Sequence, residues 1–419
     1  MKILHISTQD QGGAPISAIR LHRALLAQGV DSTILFLTQE NCDIPGSFSY
    51  ISPDKKYRNL ILQQLVRLKN KLLFYLFYHY PNAQKLQNKV SGFELFSFNP
   101  SYYDITTQKI YQEADIIHLH WVPGFVDYTL FRKSSKPIIW TLLDMNPFTG
   151  GCHFSCGCEK YISACKNCPQ LQGTKNSNNS FRDQQFKMAH LIGQAPIIAA
   201  PSKWLLECSS QSRLFGTLKN ILMPSSLDLS IFKPLDKSLC RAALNLPQDK
   251  KIVLFVSYGI ENKRKGFDLL LDAIKQINRA DIHLCAIGSF NPGSDSKSGG
   301  TFLGKIYDER LMALAYAAAD VFLLPSREDN LPNTMLESLA CGTPVIAFPI
   351  GGIPDVIVTG SNGILANELS STSLSCALTD FFEDKYKFNR EEISKNAGEL
   401  FSPVVQAKKY VSLYEEMLQ

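Results

Sequence analysis

One stretch of the sequence decides the fold, Ser326-Arg-Glu-Asp-Asn-Leu-Pro-Asn-Thr-Met-Leu-Glu-Ser-Leu-Ala-Cys-Gly-Thr-Pro-Val-Ile-Ala347. The apolar run Val321–Leu324 directly before it predicts a buried strand. Pro332 stands where a helix can begin, because the first helical turn needs no backbone N–H from that position. Apolar residues at helical spacing follow, and Cys341-Gly342 predicts the end of the helix. The pattern is therefore a strand, a loop and a helix, the building unit of α/β proteins.

Two acids, Asp329 and Glu337, stand eight residues apart on this unit. Asp329 is predicted in the loop at the carboxyl end of the strand, and Glu337 about one turn inside the helix. A helix N-terminus attracts phosphate, and a carboxylate beside it can accept hydrogen bonds from sugar hydroxyls. The spacing therefore predicts a site for a sugar attached to a diphosphate. The alternative is a solvated acidic loop followed by a core helix.

This segment resembles the acid-x7-acid signature of the retaining glycosyltransferases of the GT-B fold, family 4 or group 1. The resemblance implies that the first acid, Asp329, contacts the donor sugar and that Glu337 binds the ribose of the nucleotide. The family's first acid is normally Glu, so Glu328 is an alternative with nine-residue spacing. We prefer Asp329, because Asn330 and Leu331 then fall where the family's backbone amides meet the donor.

A basic cluster, Lys263-Arg264-Lys265-Gly266, follows the strand predicted over Ile252–Ser257. Cations there can neutralise a diphosphate and the charge that develops as it leaves. The resemblance implies that Lys265 is the family's lysine and that catalysis needs no metal. The family also carries an arginine a few residues upstream, where this chain has Gly259-Ile260, and Arg264 is the candidate to supply part of that charge. A solvated cluster at a helix start is the alternative.

Length and composition limit the class of protein. A chain of 419 residues favours two domains, and 45% hydrophobic with 19% charged residues indicates a globular protein. The net charge of +5 is spread out, which does not favour nucleic acid but permits contact with anionic lipid or anionic donors. The start Met1–Thr8 lacks a signal-peptide layout, and no apolar run reaches the roughly 20 residues that span a bilayer. We therefore expect a cytoplasmic protein, at the inner face of the cytoplasmic membrane if its acceptor is lipid-linked, with free or metal-bound thiols rather than disulfides.

Strand and helix patterns alternate along both halves of the chain. The predicted strands are Ile3–Ile6, Ser32–Leu37, Ile116–His120, Pro137–Leu142, Ile252–Ser257, Ile282–Ile287 and Val321–Leu324. The predicted helices include Phe267–Ile277, Glu309–Ala318, Asn333–Ala340 and the amphipathic Val404–Leu418. Alternation implies parallel strands with right-handed crossovers. The predicted fold class is α/β, and the resemblance implies GT-B, two Rossmann-like domains with mostly parallel sheets facing a central cleft.

The resemblance also divides the chain. Residues 1–223 are expected to form an N-terminal acceptor domain with a Cys-rich insert at 150–170, and residues 235–401 a C-terminal nucleotide-sugar donor domain. The connection is placed at Met223–Pro234, which is bounded by prolines and lacks strong periodicity. The C-terminal helix, residues 402–419, is expected to pack back on the first domain.

Two further segments lie at predicted strand ends in the first half. Gly12-Gly13 opens a helix after the first strand, where glycine lets the backbone approach a ligand closely. The resemblance implies that Gly13 lies beside the donor diphosphate.

Relatives often have His-Asp where this chain has Leu143-Asp144, and that histidine contacts the donor sugar. His118 and His120 end a neighbouring strand and are either polar site groups or, as we favour, packed histidines.

Five cysteines fall within 17 positions, from Cys152 to Cys168, and Cys165 and Cys168 have the Cys-x2-Cys spacing of zinc sites. Similar Cys-rich insertions occur in a bacterial subgroup of the resembling family. We predict a structural zinc held by Cys158, Cys165, Cys168 and either Cys152 or His153. Free thiols that pack a loop are the alternative.

The region Lys55–Lys85 is rich in Leu, Tyr, Phe, Lys and Arg. A basic amphipathic helix there could rest on an anionic membrane surface that holds a lipid-linked acceptor. The alternative is a helix that packs on the first domain.

Together these features predict a retaining glycosyltransferase that moves a sugar from a UDP-, GDP- or ADP-linked donor to a glycan or lipid-linked saccharide in cell-surface polysaccharide assembly. Catalysis is expected to need no cofactor, and domain closure is expected to exclude water. The candidate catalytic residues are Asp329, Glu337 and Lys265, and the candidate donor-binding residues are Gly13, Arg264, Asn330 and Leu331. The departures at Asp329, Leu143 and Gly259 favour one alternative, a nucleotide-sugar-binding scaffold without turnover. A nucleotide-sugar epimerase on the same fold is a weaker alternative.

Overall fold

The computed structural model describes residues 1–41, 43–51, 64–65, 68–69, 72, 95–99, 101, 103–171, 178–191, 195–289 and 300–419. These residues form two compact units, the first from Met1–Met223 with Ala407–Gln419 and the second from Pro224–Gln406. The predicted basic helix within Lys55–Lys85 lies almost entirely outside the described residues. Among the described helices, none combines the length and the apolar character that crossing a bilayer requires.

The first unit is built on a seven-stranded sheet in which every pair of neighbours is parallel. Its strand order is β3-β2-β1-β4-β5-β6-β7. The strands are β1 Lys2–Gln9, β2 Asp31–Thr38, β3 Ser47–Ser49, β4 Ile116–Leu119, β5 Ile138–Thr141, β6 Ile197–Ala200 and β7 Asn220–Leu222. Strands β4 and β5 are buried along their whole length, which explains their continuous apolar runs.

Helices cover this sheet. They are α1 Gly13–Ala27, α2 Lys109–Glu113, α3 Thr129–Lys133, α4 Asn179–His190 and α5 Lys203–Gln211. The last helix of the chain, which spans Pro403–Leu418, contributes Tyr410 and Tyr414 to a core cluster with Ile3 of β1 and Leu21 of α1. Both tyrosines are fully buried, so the C-terminal segment is part of the core of the first unit.

The second unit is built on a six-stranded sheet that is also parallel throughout. Its strand order is β10-β9-β8-β11-β12-β13. The strands are β8 Lys251–Gly259, β9 Ile282–Ser289, β10 Thr301–Phe302, β11 Val321–Leu324, β12 Val345–Ala347 and β13 Gly363–Leu365. The helices are α6 Lys237–Ala243, α7 Phe267–Ile277, α8 Glu309–Ala318, α9 Asn333–Ala340, α10 Ser371–Phe382 and α11 Arg390–Leu400, and we label the final helix α12.

Each sheet has one position where the strand order reverses, between β1 and β4 in the first unit and between β8 and β11 in the second. In open α/β sheets, ligands bind outside the carboxyl ends of the strands at such a position. The two units therefore each have a topologically preferred binding edge.

The α/β fold class with two parallel-sheet units is confirmed. The predicted bounds Phe267–Ile277, Glu309–Ala318 and Asn333–Ala340 are those of α7, α8 and α9. The predicted strands also exist: Val321–Leu324 has the bounds of β11, and the ends of the others differ by at most three residues, as in β1, which runs on to Gln9.

Candidate functional site

The strand–loop–helix unit that carries the two acids has the predicted form. Strand β11 is fully buried, and α9 follows Pro332, whose backbone has φ −63° and ψ 120°. Asp329 lies in the intervening loop and Glu337 one turn into the helix, and each residue is 7% exposed. Both acids therefore sit at the carboxyl end of the sheet, beside the strand-order reversal, and are nearly buried.

Asp329 is surrounded by positive charge. Lys265 Nζ donates to Asp329 Oδ2 at 2.6 Å, and an Arg264 guanidinium nitrogen lies 3.3 Å from the same oxygen. The Ser326 hydroxyl also donates to it, at 3.2 Å. Burial by itself raises the pKa of Asp329, but the charges of Lys265 and Arg264 outweigh it and hold the pKa below its ordinary value. The two cations and one carboxylate have a net charge of +1, which favours an anionic ligand.

The loop after β8 brings the cations to this position. Residues Lys263–Lys265 form a 3₁₀ turn whose first N–H groups are capped by the side chain of Asn262, which accepts from Arg264 N at 3.0 Å. The turn ends at Gly266, which has φ +71°, and a Cβ there would lie 1.9 Å from the carbonyl oxygen of Pro325. Only glycine allows this approach. The loop after β8 therefore packs directly on the end of β11.

A second loop supports the acidic segment from its other side. Gly352 N donates to Asn330 O at 2.6 Å. Gly351 has φ +53°, and a Cβ on it would lie 1.6 Å from the carbonyl oxygen of Asp329. The Gly351-Gly352 pair thus fixes the backbone of Asp329 and Asn330.

The Glu337 carboxylate is held by a buried hydroxyl. Tyr316, on α8, is fully buried and donates to Glu337 Oε2 at 2.9 Å. Leu331, between the two acids, packs partly buried against the core of the second unit. The carboxylate of Glu337 is therefore oriented by the fold.

Most of the predicted site residues come together in one place. The Asp329 carboxylate joins them: one oxygen contacts Lys265 and Arg264, and the other accepts from the backbone N–H of Asn330. Gly13 belongs to the first unit, where it begins α1 after Gly12.

The second unit departs from the family's pattern at two places, Asp329 in place of the usual Glu and Gly259-Ile260 in place of an arginine. The alternative acid, Glu328, is half-buried, and its backbone oxygen accepts from Arg264 Nη1 at 2.6 Å. Ile260, in the stretch where the resemblance implies an arginine, is 1% exposed and belongs to an apolar core cluster. The chain therefore has an apolar core contact at that point instead of a cation.

The corresponding edge of the first unit carries a shallow, partly open pocket. Its lining includes Trp121 after β4, Leu143 and Asp144 after β5, and Ser97 from an earlier segment. Asp144 was singled out from the sequence, but Ser97 was not, because no motif surrounds it. Distant segments therefore contribute to a second candidate binding site.

The predicted strand-end histidines are core residues. His118 and His120 on the β4 side lie beside His5 of β1, and all three are at most 3% exposed. Their nitrogens form the only set of three possible metal ligands within 4.8 Å of one another among the described residues. His118 bonds Tyr414 and Thr141, and His5 bonds His120, each at 2.7 to 2.8 Å. Burial lowers the pKa of His120 to about 3 and those of His5 and His118 well below 6.5, so they are neutral packed histidines.

The Cys-rich insert gathers four of its cysteines. Cys152, Cys158, Cys165 and Cys168 line one pocket, but no three of their sulfurs lie within 4.8 Å of one another, and none of the described cysteines forms a disulfide. Burial raises the pKa of Cys165 to about 11. His153 faces elsewhere: its two ring nitrogens lie 2.6 Å from Asp144 Oδ2 and 3.0 Å from Ser97 Oγ. Both ring nitrogens of His153 are thus engaged by Asp144 and Ser97, whereas the other candidate for a fourth zinc ligand, Cys152, lines the cysteine pocket.

Comparison with known sequences agrees with this geometry. Residues 250–384, which contain Lys265, Asp329 and Glu337, match the family described as glycosyl transferases group 1. A D-inositol 3-phosphate glycosyltransferase from Segniliparus rotundus is 26% identical over 273 residues, which is 60% of this chain and 55% of that protein. The chain spans 55–60% of the length of the first such relatives it matches.

Solved structures match the chain over its whole length. Sucrose-phosphate synthase from Thermosynechococcus elongatus has a TM-score of 0.66 at 20% identity, covering 100% of this chain and 99% of that one. Anabaena Alr3699/HepE in complex with UDP-glucose has a TM-score of 0.65 at 16% identity, covering 99% and 100%. Similarity at this level shows the fold. Residues 250–384 thus match a group 1 glycosyltransferase domain, and the two parallel-sheet units have the GT-B fold.

Proposed function

We propose that this protein is a retaining glycosyltransferase that moves a sugar from a nucleotide-diphosphate donor to a glycan or lipid-linked saccharide in cell-surface polysaccharide assembly. The observation that carries the proposal is the cationic cluster of Lys265 and Arg264 around the buried Asp329, at the strand-order reversal of the second sheet. A net positive site of low polarity stabilises a departing diphosphate more than bulk water does.

The proposed roles follow from the chemistry of each group. Lys265 and Arg264 neutralise the diphosphate, and the backbone of Asn330 and Leu331 faces the donor. Glu337, oriented by Tyr316, accepts hydrogen bonds from the ribose hydroxyls. Asp329 contacts the donor sugar. Gly13, in the first unit, lets a backbone approach the diphosphate. We assign no protein nucleophile, so retention proceeds on one face of the sugar.

A donor screen tests the proposal at the level of binding. We expect one class among UDP-, GDP- and ADP-sugars to raise the melting temperature, because a ligand that binds only the folded state stabilises it. The UDP-glucose complex of the structural relative makes UDP-sugars the first to try. Glu337→Ala should abolish most of the shift in melting temperature. Tyr316→Phe should reduce the shift partially, since this variant keeps the Glu337 carboxylate but removes the hydrogen bond from Tyr316.

Turnover separates the proposal from its alternatives. A nucleotide-sugar-binding scaffold without turnover would show the thermal shift but no hydrolysis or transfer of the donor. A nucleotide-sugar epimerase would release an altered sugar nucleotide. Transfer with retained anomeric configuration, read by NMR of the product, is the expected result.

The acceptor is proposed to bind the first unit, and the protein to work in the cytoplasm at the inner face of the membrane. The basic composition of Lys55–Lys85 supports contact with anionic lipid. Flotation with anionic vesicles at low salt is the test, and recovery of all protein at the bottom of the gradient would contradict it.

We also propose that Cys152, Cys158, Cys165 and Cys168 hold a structural zinc. The support is the Cys-x2-Cys spacing and the four thiols around one pocket; because no three of their sulfurs lie within 4.8 Å of one another, zinc binding requires the thiolates to draw together. Metal analysis should find close to one equivalent in the wild type. Cys168→Ser should lose it, while Cys376→Ser, at an exposed cysteine elsewhere, should not. Less than about a tenth of an equivalent in the wild type would leave free thiols as the better description.

A further inference from the structure

Helices α8 and α9 of the second unit end close together, and one arginine from a third helix contacts both ends. Arg390, the first residue of α11, donates from Nη1 to Ala319 O at 2.9 Å and from Nη2 to Ala317 O at 3.1 Å, at the carboxyl end of α8. Nη2 also lies 3.5 Å from Cys341 O, at the carboxyl end of α9. A single guanidinium therefore bridges the last turns of two helices.

The chemistry of arginine suits this place. The last carbonyl groups of a helix have no partner within the helix and carry a partial negative charge. The guanidinium offers five N–H donors in one rigid plane, so it can fix several acceptors relative to one another. A lysine ammonium has the same charge but a flexible stem and no such plane. Arg390→Lys therefore removes the fixed geometry and keeps the charge.

A threonine connects the arginine to Tyr316. Arg390 Nη2 donates to Thr343 Oγ1 at 2.7 Å, and the Thr343 hydroxyl donates in turn to the backbone oxygen of Tyr316 at 2.6 Å. Thr343 is fully buried and is also bonded to α9, because its N–H donates to Ser338 O and its backbone oxygen accepts from Ser338 Oγ, each at 2.9 Å. The segment after α9 is thus bonded to both helices.

The start of α11 is itself fixed against the end of α9. Gly342, which follows α9, has φ +76°, and a Cβ there would lie 2.5 Å from the carbonyl oxygen of Arg390. One turn later on α11, the Ser394 hydroxyl donates to Ala340 O at 2.6 Å. Arg390 therefore extends toward α8 from a backbone that is already in contact with α9.

The residues that this bridge affects are Tyr316 and Glu337. Tyr316 lies three positions before Ala319, and Glu337 lies four positions before Cys341, so each is one turn upstream of a helix end that Arg390 contacts. Both are buried, and the Tyr316 hydroxyl donates to Glu337 Oε2 at 2.9 Å. A displacement of one helix against the other by about 1 Å would take these oxygens beyond hydrogen-bond distance.

We propose that Arg390 is a positioning residue for donor binding, which holds the ends of α8 and α9 together so that Tyr316 presents the Glu337 carboxylate to the ribose hydroxyls. Arg390 acts through these two residues. The contact with ribose rests on the proposed function, whereas the dependence of the Tyr316–Glu337 hydrogen bond on Arg390 rests on the contacts of the second unit alone.

Selectivity for ribose hydroxyls tests this role. The probes are the nucleoside diphosphate that binds the wild type in the donor screen and its 2′,3′-dideoxy form. Hydrogen bonds to a carboxylate should make the dissociation constant of the dideoxy form about 10-fold or more the higher of the two. Arg390→Lys should lower this ratio about 3- to 10-fold by weakening the ribonucleotide alone. A general loosening of the unit would weaken both nucleotides and leave the ratio unchanged.

Arg241→Lys is the matched control. Arg241, on α6, donates to Ala318 O at the end of α8 at 3.0 Å and pairs with Asp320 at 2.7 Å. Within the described part of the chain, none of its hydrogen bonds or ion pairs reaches α9. This variant should lower the melting temperature, as Arg390→Lys does, and leave the nucleotide ratio within about 2-fold of the wild type.

Thr343→Val is the second test variant, for the case that Arg390→Lys does not fold. Valine has the shape of threonine without the hydroxyl that links Arg390 to Tyr316. It should change the nucleotide ratio in the same direction as Arg390→Lys. A ratio in either test variant equal to that of Arg241→Lys would overturn the proposal.

Carbon-13 NMR of tyrosine separates this inference from the proposed function. With tyrosine labelled at Cζ, next to the hydroxyl, Tyr316→Phe identifies the Tyr316 signal in the protein without nucleotide. Arg390→Lys should move that signal toward the position of free tyrosine, and Arg241→Lys should not. A signal that Arg390→Lys leaves in place overturns the inference even if a donor is bound and turned over. A signal that moves in a protein that binds no nucleotide supports the bridge and contradicts the proposed function instead.

Discussion

The two units of this protein have the same strand order around their first strand but opposite chemistry at the edge where it reverses. In the second unit that edge holds a charged cluster, Lys265 and Arg264 around Asp329. In the first, the neighbouring strands carry three neutral histidines, and Asp144 is the charged residue among the described residues that line the pocket at the edge. The comparison shows that one strand order can carry groups of different charge, because the side chains at the strand ends differ.

Burial acts on both sets of groups, and the partners decide the outcome. Asp329 keeps its charge because two cations offset the cost of burial. His5, His118 and His120 lie beside one another, so a charge on one would repel a charge on the next, and burial lowers their pKa values further. They therefore stay neutral. The second edge therefore keeps charged groups, whereas the strands at the first edge carry neutral imidazoles.

Removing one cation from the charged cluster of the second unit should have the largest effect on the difference between the two units. Lys265→Ala leaves Arg264 as the sole cation paired with Asp329 and cancels the net positive charge of the cluster. We expect donor turnover to fall by about 10²- to 10³-fold, the usual effect of losing one transition-state contact. Initial rates of donor consumption measure it. Lys275→Ala, on an exposed face of α7, is the control, and equal rates for the two variants would contradict the role.

Acid should destabilise the first unit selectively. The folded-state pKa values of His5, His118 and His120 are depressed, so the stability they contribute is present above pH 6.5 and is lost as the pH falls below it. At one pH unit below 6.5 we expect a loss of about 1 kcal/mol for each, or about 3 kcal/mol together.

The three tryptophans provide the measurement for this effect. Trp121, Trp140 and Trp204 all belong to the first unit, so fluorescence during urea denaturation reports its unfolding. A transition midpoint that does not move between neutral pH and pH 5.5 would contradict the prediction that these histidines are neutral.

A methyl group can disturb the second edge without removing any charge. Gly351→Ala places a Cβ against the Asp329 carbonyl at a backbone angle that alanine rarely adopts, and we expect a destabilisation of about 2 kcal/mol or more. Calorimetry measures it. Gly304→Ala shares the positive φ but has no described atom within 4 Å of the added group, so it should cost only about 1 kcal/mol. Equal costs would mean that backbone angle alone, rather than close approach, sets the effect.

The smallest effect should be the acid dependence of the ion pair itself. The folded-state pKa of Asp329 is depressed, so its contribution is present above pH 3.8 and is lost as the pH falls through the lower folded-state value. Asp329→Asn should therefore be less stable than the wild type at neutral pH, and the difference should vanish in strong acid. Pulse proteolysis of the second unit at both pH values checks this. A difference that persists at low pH would point to a lost hydrogen bond instead of a lost charge.

Much of the second edge could be predicted because its signals are local. Apolar runs, Pro332 and Gly342 act within a few residues, so the bounds of β11 and α9 follow from short-range preferences. The placement of Lys265 in a turn before a helix is local in the same way. Short strands such as β12, with three residues, carry too little pattern to be recognised.

Less of the candidate site at the first unit's edge could be predicted from the sequence. The resemblance points to Leu143 and Asp144, but no motif surrounds Ser97, and the sequence places its partner His153 among the candidate metal ligands. Its hydrogen bonds to Asp144 and Ser97 give it a different place.

The sequence by itself determined the α/β class, the helix and strand periods, and the residues with the chemistry to hold a diphosphate. The tertiary structure alone decided which of them meet: Lys265 with Asp329 across 64 positions, Gly351 against the Asp329 backbone, and Ser97 with His153 across 56. The physical reason is range. Backbone preferences act between near neighbours, whereas a contact between distant side chains exists only once the order of the strands has placed their ends side by side.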